Sequence, residues 1–302
     1  MKTADHITVM LNEAVEQLKV TPKNWYVDCT FGAGGHTGLI LEKGGNVIAF
    51  DFDQEAIDVG KAKFAKEIEA GKLILIRENF DKLTQTIKHL QEINSIDAIS
   101  GVLFDFGTST DQLMADDRGF SFSNEQADLD MRMDNRLGVK ASDLLKVLNA
   151  KELARIFREF GGEEKANAIA KVIVRMREQN SQQLETVGGL VKAISMAGRH
   201  QRGRLHPATK VFQALRIVVN DEMSNIENAL PQALELIKPG GRIVTIAFHE
   251  GEDRLAKYAF TNWEVQGQGI RITHKAQTPS EEEIAENSRS RSAKLRVFER
   301  NI

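Results

Sequence analysis

Apolar residues recur along the first third of the chain as short continuous runs that alternate with longer stretches of helical spacing. The runs are "WYVDCT", "NVIAFDFD", "KLILIREN" and "ISGVLFDFG", and the stretches between them are "HTGLILEKGG", "QEAIDVGKAKFAKEIEA" and "FDKLTQTIKHLQEI". Each run predicts a buried strand and each stretch a helix. Because strands that alternate with helices pair in parallel through crossovers on both faces, the pattern predicts an α/β fold with a doubly wound sheet.

The alternation stops after the fourth run. From about Thr110 to about Leu205 the spacing is helical, and "EMSNIENALPQALELIKPGGRIVTIAF" then returns to a helix, a Pro-Gly-Gly turn and an apolar strand. We therefore predict an α-helical insertion at residues 111–205, inside a sheet domain made of residues 1–110 and 206–302. The sheet is expected to resume near residue 210.

Composition narrows the class of protein. A chain of 302 residues with 41% hydrophobic content is large enough for a substantial core. Its apolar runs fall short of the roughly 20 residues of a membrane helix, and the N-terminus lacks the long apolar segment of a secretory signal. The single cysteine, Cys29, excludes an internal disulfide and fits a reducing compartment. We expect a cytoplasmic protein without membrane contact or a metal.

Basic residues are concentrated in two places although the net charge is −3. Residues 187–220 contain no acid, and their basic side chains are Lys192, Arg199, Arg202, Arg204, Lys210 and Arg216. A second group consists of Arg289, Arg291, Lys294, Arg296 and Arg300. Such stripes on a mildly acidic chain indicate a polyanion bound at a defined place, and a solvated charged face is the alternative.

The stretch "DCTFGAGGHTG" follows the first predicted strand, where an open parallel sheet binds its ligand. Gly32, Gly34 and Gly35 permit positive φ and a close approach of backbone to a ligand, and the next helix directs its free N–H groups to the same place. The spacing is not G-x-G-x-x-G, so a tight turn without a ligand stays an alternative.

Three acids lie at or just after the ends of the second and fourth predicted strands. Asp51 is placed to accept hydrogen bonds from ribose hydroxyls, which indicates an adenosine moiety but not a particular cofactor. Asp53 is expected to be a surface acid in a loop. The Pro-Gly-Gly strand and Asp105, with its polar successors, favour S-adenosylmethionine over NAD.

The chain as a whole resembles a known family. "DCTFGAGGHTGLIL", "VLFDFGTSTDQL", "RGFSF", "DLDMRMD", "HPATKVFQALRIVVNDE", "FHEGEDR" and "NSRSRSAKLR" are similar to motifs of the ribosomal RNA small subunit methyltransferase H family, the N4-cytosine methyltransferases of bacterial 16S rRNA. The resemblance implies a class I (Rossmann-like) methyltransferase with an inserted helical domain for substrate recognition. It also implies S-adenosyl-L-methionine as cofactor, the small ribosomal subunit with its 16S rRNA as partner, and a homodimer as one expected assembly.

The same resemblance implies the site. Cofactor-binding residues are expected to be Gly34, Gly35, His36, Asp51, Phe80, Asp105 and Gln112. Asp105 and His249 are the catalytic candidates. The RNA-binding candidates are Arg118, Arg132, Arg199, Arg202, Arg204 and Lys210. Plain core packing is the alternative for Phe80, and Phe120 and Phe122 are expected either to stack on a base or to anchor the insertion to the sheet.

The chain departs from the family pattern twice. It has "STDQ" where "SSPQ" is expected, which removes a proline from the loop after the fourth strand, and "AFHEGEDR" where "SFHSLEDR" is expected, which replaces a serine by Ala247. Two other functions stay open: a nicotinamide oxidoreductase on the same sheet, and a non-catalytic factor for rRNA binding or assembly.

Overall fold

The chain separates into two units, each with its own internal packing. One consists of Met1–Gly107 and Met223–Ile302, and the other of Thr108–Glu222. The computed structural model describes residues 7–93, 96–107, 118–198 and 206–301. We refer to the first as the sheet unit and to the second as the helical unit.

The sheet unit is organised around seven strands. These are β1 (Trp25–Asp28), β2 (Asn46–Phe50), β3 (Leu73–Ile76), β4 (Ile99–Asp105), β5 (Ile237–Ala247), β6 (Gly269–Arg271) and β7 (Lys294–Arg300). Their order is β3-β2-β1-β4-β5-β7-β6. Strands β1 to β5 are parallel, whereas β7 runs antiparallel to its neighbours β5 and β6. The four strands predicted in the first half of the chain are confirmed.

The helices alternate with these strands as the sequence pattern predicts. They are α1 (Leu11–Gln17), α2 (Gly35–Glu42), α3 (Gln54–Lys63), α4 (Ala65–Glu69), α5 (Leu83–Ile93), α6 (Ala141–Val147), α7 (Ala150–Glu159), α8 (Ala166–Gln179), α9 (Val187–Met196), α10 (Thr209–Val219), α11 (Glu222–Leu236), α12 (Glu250–Val265) and α13 (Glu281–Glu286). Among the described residues, no helix is both long enough and apolar enough to cross a bilayer.

Both faces of the sheet are covered, which explains why its central strands are continuous apolar runs. Trp25 and Val27 of β1 belong to a core that includes side chains of α5, α11 and α12. Tyr26, the residue between them, belongs to the opposite core with side chains of α1 and α2. The doubly wound α/β sheet is therefore confirmed. The chain runs outward from β1 to β3 and then returns to β4 beside β1, so the strand order reverses between β1 and β4.

The helical unit extends further along the chain than predicted. The sheet does not resume near residue 210, because residues 209–219 form α10 and the next strand begins only at Ile237. The buried side chains of α10 include Val211, Phe212 and Leu215, and this helix packs against α7. The predicted boundary at 206 thus falls before α10, whereas the helical unit ends at Glu222.

A buried ion pair joins the start of α12 to β7 within the sheet unit. Arg296 donates from Nε to Asp253 Oδ1 at 2.6 Å and from a terminal nitrogen to Oδ2 at 3.1 Å. Both residues are buried, and Lys294 Nζ lies 3.6 Å from the same carboxylate. Burial alone would raise the pKa of Asp253, but the hydrogen bond and charge of Arg296, with Lys294, hold that pKa below its ordinary value.

Removing one partner of this pair tests its structural role. Asp253→Ala is expected to lower the free energy of unfolding by about 3–5 kcal/mol, because it leaves the Arg296 guanidinium buried without its carboxylate. Urea unfolding measures the change. Because the folded-state pKa of Asp253 is lowered, its stabilisation is present above the ordinary carboxyl pKa and is lost as the pH falls.

The control is Asp58→Ala, which breaks an exposed pair with Lys61 at 3.7 Å. That change is expected to stay within about 0.5 kcal/mol. Equal losses in the two variants would contradict a special contribution of Asp253.

Candidate active site

Carboxylates that are buried or partly buried lie at the carboxyl ends of three adjacent strands. Asp28 is the last residue of β1, Asp51 follows β2 and Asp105 is the last residue of β4. Because these strands are parallel neighbours, their ends meet at one edge of the sheet, beside the point where the strand order reverses. The structure therefore brings together Asp51 and Asp105, as expected, and adds Asp28, which the sequence interpretation did not single out. We call these three residues the acidic edge.

Hydrogen bonds of Thr30 and Thr37 organise the first part of this edge. Asp28 is fully buried and accepts hydrogen bonds from the Thr37 hydroxyl at 2.7 Å and from the Thr30 N–H at 3.1 Å. The Thr30 hydroxyl accepts a hydrogen bond from the backbone N–H of Asp105 at 2.7 Å. Thr30 thus ties the end of β1 to the end of β4. Burial raises the pKa of Asp28, although these hydrogen bonds oppose the shift.

Asp51 connects the glycine turn to the end of β2. Its two carboxylate oxygens accept hydrogen bonds from the backbone N–H groups of Gly32 and Asp53, each at 2.9 Å. Burial raises the pKa of Asp51 to about 7, against the effect of those two hydrogen bonds, and the charges of Asp53 and Asp28 add to the rise. An ionised carboxylate has about four acceptor positions, so acceptor capacity is left for ribose hydroxyls.

The expectation that Asp53 is a surface acid in a loop is wrong. Asp53 is buried, and its side chain caps α3 by accepting a hydrogen bond from the N–H of Glu55 at 3.0 Å. The sequence holds the signal for this role, since an aspartate directly before a helical pattern is a favoured N-cap.

The glycines of the turn are required by the protein's own packing. Gly34 caps α2 with φ 73°, and a Cβ there would lie 2.7 Å from the Phe64 ring and 2.8 Å from the Phe31 ring. A Cβ on Gly35 would overlap the Thr8 side chain. Contact of Gly34 and Gly35 with a cofactor stays a prediction, because these clashes already explain why both residues lack a side chain.

His36 and Phe80 are both buried side chains of the sheet unit. His36 is the second residue of α2, and its Nδ1 lies 3.9 Å from Asp105 Oδ2. Phe80 follows β3, and its ring packs edge-on against Phe104 with centroids 5.7 Å apart. That contact agrees with the core-packing alternative for Phe80, and its role at the cofactor stays a prediction. Gln112 lies outside the described residues.

Asp105 is the most electrostatically unusual member of the edge. Its side chain is 22% exposed, yet its Oδ1 is buried and has no hydrogen-bond partner among the described residues. Burial raises the pKa of Asp105 well above its ordinary value, and the charges of Asp28 and Glu252 raise it further. A buried carboxylate oxygen without a donor is suited to a ligand that supplies a hydrogen-bond donor or a positive charge.

His249 caps the helix that follows β5. Its Nδ1 accepts hydrogen bonds from the backbone N–H groups of Gly251 at 3.1 Å and Glu252 at 3.4 Å. A Cβ on Gly251 would lie only 2.9 Å from the His249 ring, so the glycine in "AFHEGEDR" gives the imidazole room to fold back over the helix. The predicted catalytic role of His249 is untested, whereas its capping role follows from these contacts.

The RNA-binding candidates that the structure describes contact other residues of the helical unit. Arg118 donates to the backbone carbonyls of Arg132 and Met133 at 2.6 and 2.9 Å. Arg132 forms a bidentate pair with Asp130 at 2.7 and 2.8 Å. A third candidate, Lys210, donates to the Gly162 carbonyl at 2.9 Å. Arg199, Arg202 and Arg204 lie outside the described residues, and RNA contact by all six stays a prediction.

The aromatic side chains of "RGFSF" pack inside the helical unit, so stacking on a base and anchoring to the sheet both stay predictions. Phe120 is buried, and Phe122 stacks on His206 with centroids 4.2 Å apart and an interplanar angle of 14°. Phe122 also packs edge-on against Phe212. One face of the Phe122 ring is therefore already covered by His206.

The acidic edge fits S-adenosylmethionine on chemical grounds. Asp51 offers acceptors for hydroxyls. Asp105 offers a ligand with a sulfonium charge a buried oxygen to which no described residue donates a hydrogen bond. The sheet order, with parallel β1 to β5 followed by an antiparallel β7, defines a class I (Rossmann-like) methyltransferase fold.

Comparison with known proteins identifies the family to which the chain belongs. The chain belongs to the MraW methylase family, whose model matches residues 3–301. It is 41% identical to the Ribosomal RNA small subunit methyltransferase H of Oenococcus oeni over 322 aligned positions, which cover 99% of this chain and 100% of that protein. Among solved structures, an rRNA methylase from Streptococcus thermophilus matches with a TM-score of 0.47 at 11% identity, covering 98% of this chain and 99% of that one.

The pKa of Asp51 leads to a pH dependence of cofactor binding. We expect S-adenosylhomocysteine to bind about tenfold more tightly at pH 8 than at pH 6, because a carboxyl with this pKa is roughly one-tenth ionised at the lower pH. Titration calorimetry measures the affinity. Asp51→Asn is expected to bind more weakly and with a flatter pH dependence. Equal wild-type affinity at the two pH values would contradict an ionised Asp51 as the hydroxyl acceptor.

Proposed function

We propose that this protein is an S-adenosylmethionine-dependent methyltransferase that modifies the exocyclic N4 of a cytidine in the decoding region of small-subunit rRNA. Membership of the MraW methylase family supports methyl transfer, and the name of the Oenococcus oeni relative supports the small-subunit rRNA. The cytidine N4 and the decoding region rest on the motif resemblance alone. The inserted helical unit is proposed to recognise the RNA.

The observation that carries the proposal is Asp105 at the end of β4. Its carboxylate lies next to the reversal of strand order and has a buried oxygen without a donor among the described residues. An exocyclic amine has N–H donors, and its lone pair is delocalised into the ring. A carboxylate that accepts one of those N–H bonds favours a localised lone pair and stabilises positive charge that develops on the nitrogen.

The remaining residues of the edge are proposed to position the reactants. The cofactor supplies an electrophilic methyl group in this fold. Asp51 holds the ribose, the turn at Gly34 and Gly35 faces the ligand with backbone, and His36 lies between that turn and Asp105. Alignment of this kind accounts for much of the acceleration that an in-line displacement needs.

Replacement of Asp105 tests the assignment of the site. Asp105→Ala is expected to lower methyl transfer to small subunits by about 10²-fold or more, because the acceptor for the amine is lost. RNA affinity is expected to stay at the wild-type level. Transfer of a labelled methyl group from the cofactor measures the rate, and a filter-binding assay measures the affinity.

Several outcomes separate this proposal from its alternatives. Wild-type turnover by Asp105→Ala would remove Asp105 from the site. Calorimetry that detects NAD but not S-adenosylhomocysteine would favour the oxidoreductase. RNA binding by the wild type without transfer, on subunits that lack the modification, would favour a non-catalytic assembly factor.

The basic stripe of residues 187–220 is proposed to contact phosphates. The double variant Arg199→Ala, Arg202→Ala is expected to weaken subunit binding and to reduce the slope of log K against log salt by about 1–2, since each lost phosphate contact contributes about 0.7–0.9. Lys61→Ala with Lys66→Ala removes two exposed charges from α3 and α4 and serves as the control. An unchanged slope in the Arg199 and Arg202 variant would favour the alternative that the stripe is a solvated charged face without phosphate contacts.

A further inference from the structure

Glu252 is a buried acid that no part of the proposed cofactor site uses. It is fully buried although it lies in the first turn of α12. Its Oε2 accepts hydrogen bonds from the backbone N–H groups of Phe248 at 2.7 Å and His249 at 3.2 Å. These contacts form a reciprocal capping box with His249, and they fix the carboxylate in one orientation at the end of β5.

The second carboxylate oxygen of Glu252, Oε1, takes no part in capping the helix. Its Oε1 is buried and has no hydrogen-bond partner among the described residues. His249 Nε2 lies 3.2 Å from Oε1 but is not aligned as a hydrogen bond. Leaving a buried carboxylate oxygen without a donor costs free energy, so a capping role alone does not explain a glutamate whose second oxygen is buried.

Glu252 lies close to the end of β4. A Cβ built on Gly107, two residues after Asp105, would be 3.9 Å from Glu252 Oε1. Strands β4 and β5 are parallel neighbours here, with Asp105 opposite Ile246. Asp105 and Glu252 therefore lie at adjacent strand ends of the sheet unit, and each has a buried oxygen without a hydrogen-bond partner in the part of the chain that the structure describes.

We propose that Asp105 and Glu252 form a carboxylate pair that takes up the proton released in methyl transfer, with Asp105 as the acceptor and Glu252 as its positioning residue. The inference rests on the proposed function, which leaves the proton acceptor unassigned. It adds a role for Glu252 and a second role for Asp105.

The step balances without a further reactant. The amine nitrogen forms a bond to the methyl carbon as the carbon–sulfur bond breaks, and that bond's electron pair stays on sulfur. The nitrogen then bears a positive charge and two hydrogens, and one of them passes as a proton to Asp105. Release of that proton to water restores the carboxylate.

Glu252 makes Asp105 a better acceptor for this proton. An isolated carboxylate is a weak base near neutral pH, whereas burial and a like charge raise the pKa of a carboxyl group. Both effects act on Asp105, with burial the larger, and Glu252 supplies part of the like charge. Within the sheet unit, the ionisable groups near the pair are Asp28 on β1, His36 on α2 and His249 before α12.

Glu252→Gln tests the pair while keeping an acceptor oxygen for the cap. The plateau kcat at high pH is expected to fall by about tenfold, because Asp105 becomes a weaker base. The acid limb of the kcat profile is expected to move to lower pH, since the repelling charge is gone. The affinity for S-adenosylhomocysteine is expected to stay within about threefold of wild type.

A measurement without cofactor gives a second readout. Ionising Asp105 beside a charged Glu252 destabilises the fold, so part of the stability is lost as the pH rises through the elevated pKa of Asp105. The fall in Tm as the pH rises from the ordinary carboxyl pKa towards the elevated pKa of Asp105 is expected to be smaller in Glu252→Gln than in wild type. Glu250→Gln removes an exposed charge from the first position of the same helix and is the matched control for both measurements.

The outcomes are distinguishable from failure of the proposed function. If wild-type protein does not methylate small subunits, the proposed function fails. If wild type is active and Glu252→Gln keeps its kcat and acid limb, or changes no more than Glu250→Gln, the pair is overturned. An unchanged pH dependence of Tm would also overturn it. Should Glu252→Gln not fold, Glu252→Asp keeps the charge beside Asp105. It is expected to keep the acid limb and most of kcat, and a moved limb would contradict the pair.

Discussion

Burial of like charges at one edge of the sheet is the constraint on which the site depends. Parallel strands end together, and β1, β2 and β4 each end in or just before an aspartate. Burial raises the pKa of Asp28, Asp51 and Asp105, and their charges also repel one another. An edge of this kind is costly in the free protein, and a ligand with donors and positive charge relieves the cost on binding.

The local sequence supplies backbone N–H and hydroxyl donors that offset part of the free-energy cost of burying these carboxylates. Gly32 and Asp53 donate their N–H groups to Asp51, and Thr30 and Thr37 hold Asp28. The glycines of the turn allow this close packing, because a side chain at Gly34 would collide with aromatic rings and one at Gly35 would collide with Thr8. The same turn thus positions Asp51 and closes against the N-terminal segment, which links cofactor chemistry to the packing of α2.

The start of α12 places further acids at the end of β5, which is the neighbour of β4 on the side away from β1. His249 and Glu252 cap the helix reciprocally, and Asp253 in the next position is held by Arg296 of β7. The two neighbouring acids Glu252 and Asp253 therefore have opposite surroundings. Asp253 has a guanidinium partner and a lowered pKa, whereas the second oxygen of Glu252 has no partner among the described residues. This contrast singles out Glu252 as the acid that is available to act on Asp105.

Much of this could be predicted from the sequence, because strand periodicity and strand ends are local signals. The alternation of runs and helices predicted β1 to β4, and it placed Asp51 and Asp105 at one edge. Asp28 was missed because an aspartate inside "WYVDCT" looks like part of a strand. Glu252 carried a usable signal, a possible cap followed three residues later by glutamate, but nothing local indicated its burial. The unit boundary was misplaced because nothing local in "VFQALRIVV" shows that this helix packs against α7 of the helical unit.

The central claim is that this edge delivers a methyl group to one base amine of small-subunit rRNA. Mass spectrometry of that rRNA from cells with and without the protein, with each modified nucleoside mapped to its position, tests it most directly. The account predicts a single decoding-region cytidine that carries an N4-methyl group only when the protein is present. Identical modification in both samples, or a change only at another kind of base, would contradict it.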